Sequence, residues 1–188
     1  MGQTFTTRVK AIKNDDAETV LVSEINGAFD KLDNNFTPAA KMRSSGAQSI
    51  TNSSSVKIAY DQTVFDSFAA RSEGAMADLS NDQINIRIAG LYLITASVVF
   101  VSNITGYRSV GIRKGATLIK RVSTDGNTQN SIDTSMTVSD PIVCAANDII
   151  SAVALQTSGA ALNIDPSFGG ALDAIALSAV WLGSVVEV

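Results

Sequence analysis

The sequence predicts an all-β, antiparallel sandwich preceded by an N-terminal α-helical stem, and three observations predict it. The apolar period switches from helical to twofold near residue 54. The segments after that point are punctuated by short turn signals. No helical pattern lies between them, although parallel strands would need crossover connections, usually helices.

The helical stem comes first. Asp15 is placed as an N-cap with Glu18 three residues on, a capping-box arrangement. Leu21, Ile25, Ala28, Leu32 and Asn35 then recur at heptad-like spacings, with Val22 and Phe29 as an adjoining apolar flank. Asn34, Asn35 and Pro38 stop the helix. So short a helix is marginal in water on its own, so its apolar face must pack on something. Two readings stay open: docking on its own domain, or self-association and insertion into a larger assembly. The polar stretch Ser44 to Ser54 favours the second, because it carries little that could bury. Residues 1–53 are thus expected to be leader, helix and linker, forming an anchor. Residues 54–188 are expected to be the sandwich.

Within that second region, Val56, Ile58 and Tyr60 alternate with polar or small residues. So do Ile84, Ile86 and Ile88, and again Ile132, Thr134, Met136 and Val138. Twofold alternation marks strands with one face in and one in water. Three further strands are apolar on both faces: Leu91–Val101, Ile149–Leu155 and Ile175–Leu182. A sandwich covers only the inner face, so the outer faces are expected to meet another subunit. Tyr92, Ile94, Phe100, Ile149, Val153, Leu177 and Trp181 are the candidate core and subunit-contact residues. Lys114-Gly115-Ala116 reads as a hairpin, and Asn147-Asp148 as a turn. About eight to ten strands are expected, a number that suits a jelly roll.

Composition narrows the function. The chain has 188 residues, a net charge of −4 and no histidine. Ser-His-Asp and Cys-His catalysis are excluded, as are zinc sites built on histidine and cysteine. A basic footprint for nucleic acid is missing. The most apolar stretch, Ile88–Val101, is too short for a helical membrane span. Cys144 is the only cysteine and sits in an apolar run, so it reads as a buried, inert thiol. Ser54-Ser55-Val56-Lys57 matches a hydrolase motif but begins a strand, which puts Ser54 and Lys57 on opposite faces. The aspartates at 61, 66, 78, 82, 125 and 165 fit no calcium-loop spacing and read as solvated loop charge. No enzyme activity and no cofactor or metal is expected.

The order of landmarks then becomes informative. Gly90-Leu91-Tyr92 opens a long strand, Arg108 to Gly115 makes a hairpin, Ala146-Asn147-Asp148 precedes a strand, and the last strand ends Ala179-Val180-Trp181-Leu182-Gly183. Over residues 54–184 this resembles the jelly roll of the complement globular head and tumour necrosis factor superfamily. That family has "aGD" where this chain has Ala146-Asn147-Asp148. The resemblance implies a homotrimer, with the last strand near the trimer axis. Residues Thr19 to Ala40 are similar in pattern to the N-terminal anchors of bacteriophage head-fibre and tail-associated proteins.

These readings together predict a homotrimeric virion protein, assembled in the host cytoplasm. It would be a capsid decoration, head fibre or tail-associated fibre. Leu21, Ile25, Ala28 and Leu32 would form the anchor seam toward capsid or tail proteins, and the jelly roll would be exposed. The alternative is an adhesin tip for a host receptor or surface glycan, with Asn103, Asp125, Asn127, Asp165 and Phe168 as candidate loop contacts. No nucleic-acid or membrane partner is expected.

Overall fold

Alternating burial along the chain builds a two-sheet antiparallel sandwich. In the computed structural model, residues 37–126, 132–167 and 174–185 are described. The sandwich unit begins at Thr37. Thirteen strands occur among the described residues, more than the eight to ten expected. Five of the thirteen are short pieces of two or three residues.

The first sheet holds β1 (Ala39–Arg43), β2 (Gln48–Ile50), β4 (Gln62–Asp66), β7 (Gly90–Phe100), β10 (Thr134–Cys144), β12 (Leu162–Ile164) and β13 (Ala176–Gly183). Its order is β2-β12-β7-β13-β1-β4, with β10 along the other side of β7. The second sheet holds β3 (Val56–Lys57), β5 (Ala77–Asp78), β6 (Gln83–Asn85), β8 (Tyr107–Lys114), β9 (Thr117–Asp125) and β11 (Ile149–Gln156). Its order is β5-β6-β11-β8-β9, with β3 also on β11. Tyr92, Ile94, Ala96, Val98 and Phe100 of β7 are fully buried, as are Val110, Ile112, Ile150 and Ala152 of the second sheet. These two inner faces form the core.

The expected boundary at residue 54 is corrected to Thr37. Strand β1 lies between β13 and β4, with Ala40 and Met42 fully buried. The polar stretch read as linker contains β2, an edge strand on β12 whose Ile50 is fully buried. Its hydroxyls are used locally: Ser44 Oγ donates to Gly46 O, and Ser45 hydrogen-bonds Asp61. An edge strand with one buried apolar residue leaves no readable alternation. The helical seam Leu21, Ile25, Ala28 and Leu32 lies outside the described residues.

The sandwich has two unlike ends. At one, Gly115-Ala116 links β8 to β9, and Ala145 to Asp148 links β10 to β11. Asn147 there has φ 71. Asparagine tolerates that left-handed conformation, which explains why it stands where the resembling family has glycine. At the other end β7, β9 and β11 finish while β8 and β10 begin. Strand β1 enters at the short-turn end, where the Trp181 amide donates to Pro38 O, and β13 finishes there opposite Leu91.

Candidate functional site

Two surfaces stand out, one on each sheet. On the first sheet, the outward residues of β7 are Leu91, Leu93, Thr95 and Ser97, out of phase with its buried set. Registers extend each of them into a row. Leu93 lies between Pro141 of β10 and Val180 of β13, and Val180 in turn faces Ala39. Leu91 lies between Val143 and Gly183. Leu93 is 39% exposed, Val143 55% and Leu182 54%. The next rows are mostly polar: Ser139, Thr95, Ser178 and Lys41, then Thr137, Ser97, Ala176 and Arg43. Thr95 and Ser139 hydrogen-bond through their hydroxyls at 2.8 Å. The face is therefore aliphatic toward the short-turn end and polar toward the other.

A glycine sets the edge of that face. A Cβ built on Gly90 would collide with the Trp181 indole and lie 2.6 Å from Gly183 O. Trp181 is half-buried over this gap, and Tyr92 Oη donates to Ile88 O at 2.8 Å. Gly90, Tyr92 and Trp181, far apart in sequence, are thus one packing unit.

The second surface is the long-loop end, which is built on buried polar side chains. Arg108 is fully buried, and its guanidinium donates to the carbonyls of Asn103, Thr105 and Tyr107. Burial lowers its pKa from the usual arginine value. Gln156 is also fully buried; its amide nitrogen donates to Ile50 O and Ala160 O, and its oxygen accepts from Ser158 N. Gly106 packs so closely on Thr157 that no Cβ would fit. Side chains that satisfy carbonyls in this way hold loops in one arrangement.

Sequence-predicted residues fall into four groups. Tyr92, Ile94, Phe100, Val153 and Leu177 are buried inside the chain. Ile149 is 39% exposed at the start of β11. Asn103, Asp125 and Asp165 come to the long-loop end: Asn103 Oδ1 accepts Thr105 N, Asp125 faces Tyr107 in register, and Asp165 N donates to Val99 O. Asn127 and Phe168 lie outside the described residues.

One expectation is corrected. The outer face of β11 was expected to need another subunit, yet Val153 and Ser151 are buried within this chain. A Cβ built on Gly111 would lie 2.8 Å from Leu118 Cδ1 and 3.5 Å from Val153 Cγ2, so Leu118 of β9 reaches over Gly111 toward β11. The reading of the sequence missed Arg108, Tyr107 and Arg121. Arg108 was findable, because it is in phase with Val110 and Ile112 and twofold alternation points it inward.

Cys144 is 1% exposed. Burial, and then the Asp148 carboxylate, push its thiol up to about 11. Asp78 is held down at about 2 by hydrogen bonds from Ser80 and Asn81. No group of three or more histidine, cysteine or acidic residues able to hold a metal occurs among the described residues.

No protein-family model matches the sequence, and no curated protein does. Solved structures do match by shape. Eiger TNF from S. frugiperda superposes with a TM-score of 0.57 at 11% identity, covering 80% of this chain and 96% of that one. Murine APRIL gives 0.52 at 14% identity, covering 78% and 99%. The globular domain of zebrafish complement 1qA gives 0.49 at 8% identity, covering 77% and 96%. The fold is a tumour necrosis factor-like jelly roll.

Proposed function

We propose that this chain is a non-enzymatic, homotrimeric structural protein of a virus particle, attached through its N-terminal segment with the jelly roll exposed. The observation that carries the trimer is the aliphatic half of the first sheet's outer face. Leu91, Leu93, Val143 and Val180 form a contiguous patch on strands bonded in register, and the exposed Leu182 follows at the irregularity in β13. Such a patch on a protein surface marks an interaction site. The solved structures with this fold support the choice of a second copy as its partner.

Polarity of the sandwich supports the attachment. Strand β1, the first of the sandwich, starts at the short-turn end, and Asn103, Asp125 and Asp165 lie at the opposite end. A chain anchored through its N-terminal segment would present those loops outward. The virion assignment itself rests on the pattern of Thr19 to Ala40, in the style of phage capsid or tail anchors. Assembly in the host cytoplasm follows from it.

Light scattering on the full chain tests the trimer, with a mass of three chains expected. Leu93→Asp puts an unpaired charge in the patch, which costs several kcal/mol if it is buried. It should weaken association by roughly a hundredfold or more while leaving the far-ultraviolet circular dichroism unchanged. A wild-type monomer at micromolar concentration would sink the trimer. Adding the protein to particles that lack it, then imaging them, tests the attachment; bare particles would sink it.

A further inference from the structure

We propose that the outer face of the β8–β9 hairpin, at the long-loop end, is a binding cleft for a neutral pyranose sugar. This deepens the reading of that end as the outward one. Twofold alternation turns Arg108, Val110 and Ile112 into the core, so Tyr107 and its cross-strand partner Asp125 face outward. Ser123 and Arg121 follow Asp125 at two-residue spacing on the same face. Tyr107, Arg121, Ser123, Thr124 and Asp125 line a shallow cleft of about 590 Å³, within the range of small-ligand sites.

The charged groups of this cleft are set apart from the rest of the molecule. Every other described aspartate accepts from a backbone amide or a hydroxyl, or pairs with a lysine. Every other described arginine bonds a carbonyl, an amide or a hydroxyl, or lies over a ring. Among the described residues, Asp125 and Arg121 alone of their kinds have no side-chain partner. Tyr107 Oη has none either, and the ring is 38% exposed.

These three side chains stand on a pinned backbone. Tyr107 N donates to Thr157 Oγ1 at 2.9 Å, and Tyr107 O accepts from Thr157 N and from the buried Arg108. A fixed backbone confines the ordering cost of binding to the side chains themselves. Their chemistry matches a sugar. The phenol ring offers a flat apolar surface for the C–H face of a pyranose. Asp125 accepts from hydroxyls, while Arg121 donates to hydroxyl and ring oxygens. With one cation and one anion among its lining residues the cleft has no net charge, which favours a neutral ligand over an acidic one.

Amide chemical shifts of the isotopically labelled full chain provide the test, with methyl β-D-glucopyranoside and methyl β-D-galactopyranoside as probes. With at least one of them, saturable shifts centred on Tyr107, Ser123, Thr124 and Asp125 are expected, with a Kd of about 1 mM, corresponding to roughly −4 kcal/mol. Tyr107→Ala and Asp125→Asn should each weaken binding at least about tenfold, and Tyr107→Phe should retain it. No shift with either sugar up to about 50 mM would overturn the cleft. So would shifts elsewhere, shifts untouched by Asp125→Asn, or saturation by sulfate but not by sugar. A monomer that binds sugar would overturn the trimer alone, and a trimer that does not would overturn the cleft alone.

Discussion

The two sheets turn different surfaces outward although both contain strands that are apolar on both faces. In the first, Leu93 and Leu182 stay exposed. In the second, Leu118 folds over Gly111, and Val153 is buried without a partner chain. A strand that is apolar on both faces can therefore have its outer face covered by a side chain of its own sheet, as β11 does, or leave it open, as β7 does at Leu93. The same contrast extends to polar groups: the first sheet pairs its outward hydroxyls across strands, as Thr95 and Ser139 do, while the second leaves Arg121 and Asp125 free of partners among the described residues.

The largest expected effect breaks the first sheet and spares the N-terminal segment as such. Deleting residues 1–36 should leave a folded sandwich. Deleting residues 1–45 removes β1, and with it the fully buried Ala40 and Met42 and the ladder that joins β13 to β4. Burial of a large side chain such as Met42 alone is worth roughly 2–5 kcal/mol, a sizeable share of a typical domain's stability. The longer deletion should therefore be insoluble, or lack cooperative thermal unfolding by calorimetry. Matching melting curves for the two truncations would show that β1 is dispensable.

The same strand shows what the sequence concealed. Long strands β7, β8, β10, β11 and β13 were legible because eight or more residues alternate or run apolar between turn signals. The order of Gly90, Tyr92, Asn147 and Trp181 was enough to point to the jelly roll, and the packing of Trp181 on Gly90 supplies a physical reason for part of it. Strand β1 was missed because Ala40 and Met42 alternate over only five residues and directly follow a segment with helical spacing. The long-loop end was half legible. Asn103 and Asp125 were picked as loop residues, but their convergence depends on cross-strand register, which a single sequence does not display. Arg108 was passed over because a charged residue in a strand reads as solvent-facing by default.

A pair of glycine substitutions sharpens the contrast between sheets at a smaller scale. Gly90→Ala places a methyl against backbone, 2.6 Å from Gly183 O, as well as into the indole of Trp181. Overpacking of this kind costs typically about 1–3 kcal/mol. At Gly111 the tightest neighbour is the end of the Leu118 side chain at 2.8 Å, with Lys120 O at 3.0 Å. Leu118 is 37% exposed and has room to rotate away. Gly90→Ala should therefore lower the melting temperature by several degrees and Gly111→Ala by clearly less, both read by calorimetry. Equal losses, or a larger one at Gly111, would show that the outer cover of the second sheet is as rigid as the Trp181 contact.

The smallest effect separates the sheets by pH. Cys144, at the end of β10 in the first sheet, has its thiol pushed up to about 11, by burial first and by Asp148 second. Its folded pKa lies above the unfolded value, so the folded state favours the neutral thiol. That contribution is fully present below about pH 8.5 and is lost as pH rises through about 11. Asp78, at the end of β5 in the second sheet, is shifted the other way, to about 2 by Ser80 and Asn81. Its contribution is present above about pH 4 and lost as pH falls toward 2. Asp78 lies near the surface, where solvent screens such interactions, so its share of stability is small. Cys144→Ser should accordingly flatten the alkaline limb of a stability–pH curve measured by denaturant unfolding, and Asp78→Asn the acid limb, each leaving the other limb in place. Native Cys144 should also react slowly with a thiol reagent at pH 8 and rapidly in denaturant, because the thiolate is the reacting form. Rapid native labelling, or a thiolate ultraviolet absorbance that rises near pH 8.5, would show that the edge of the first sheet opens to solvent and that its inner face is less closed than the buried Cys144 implies.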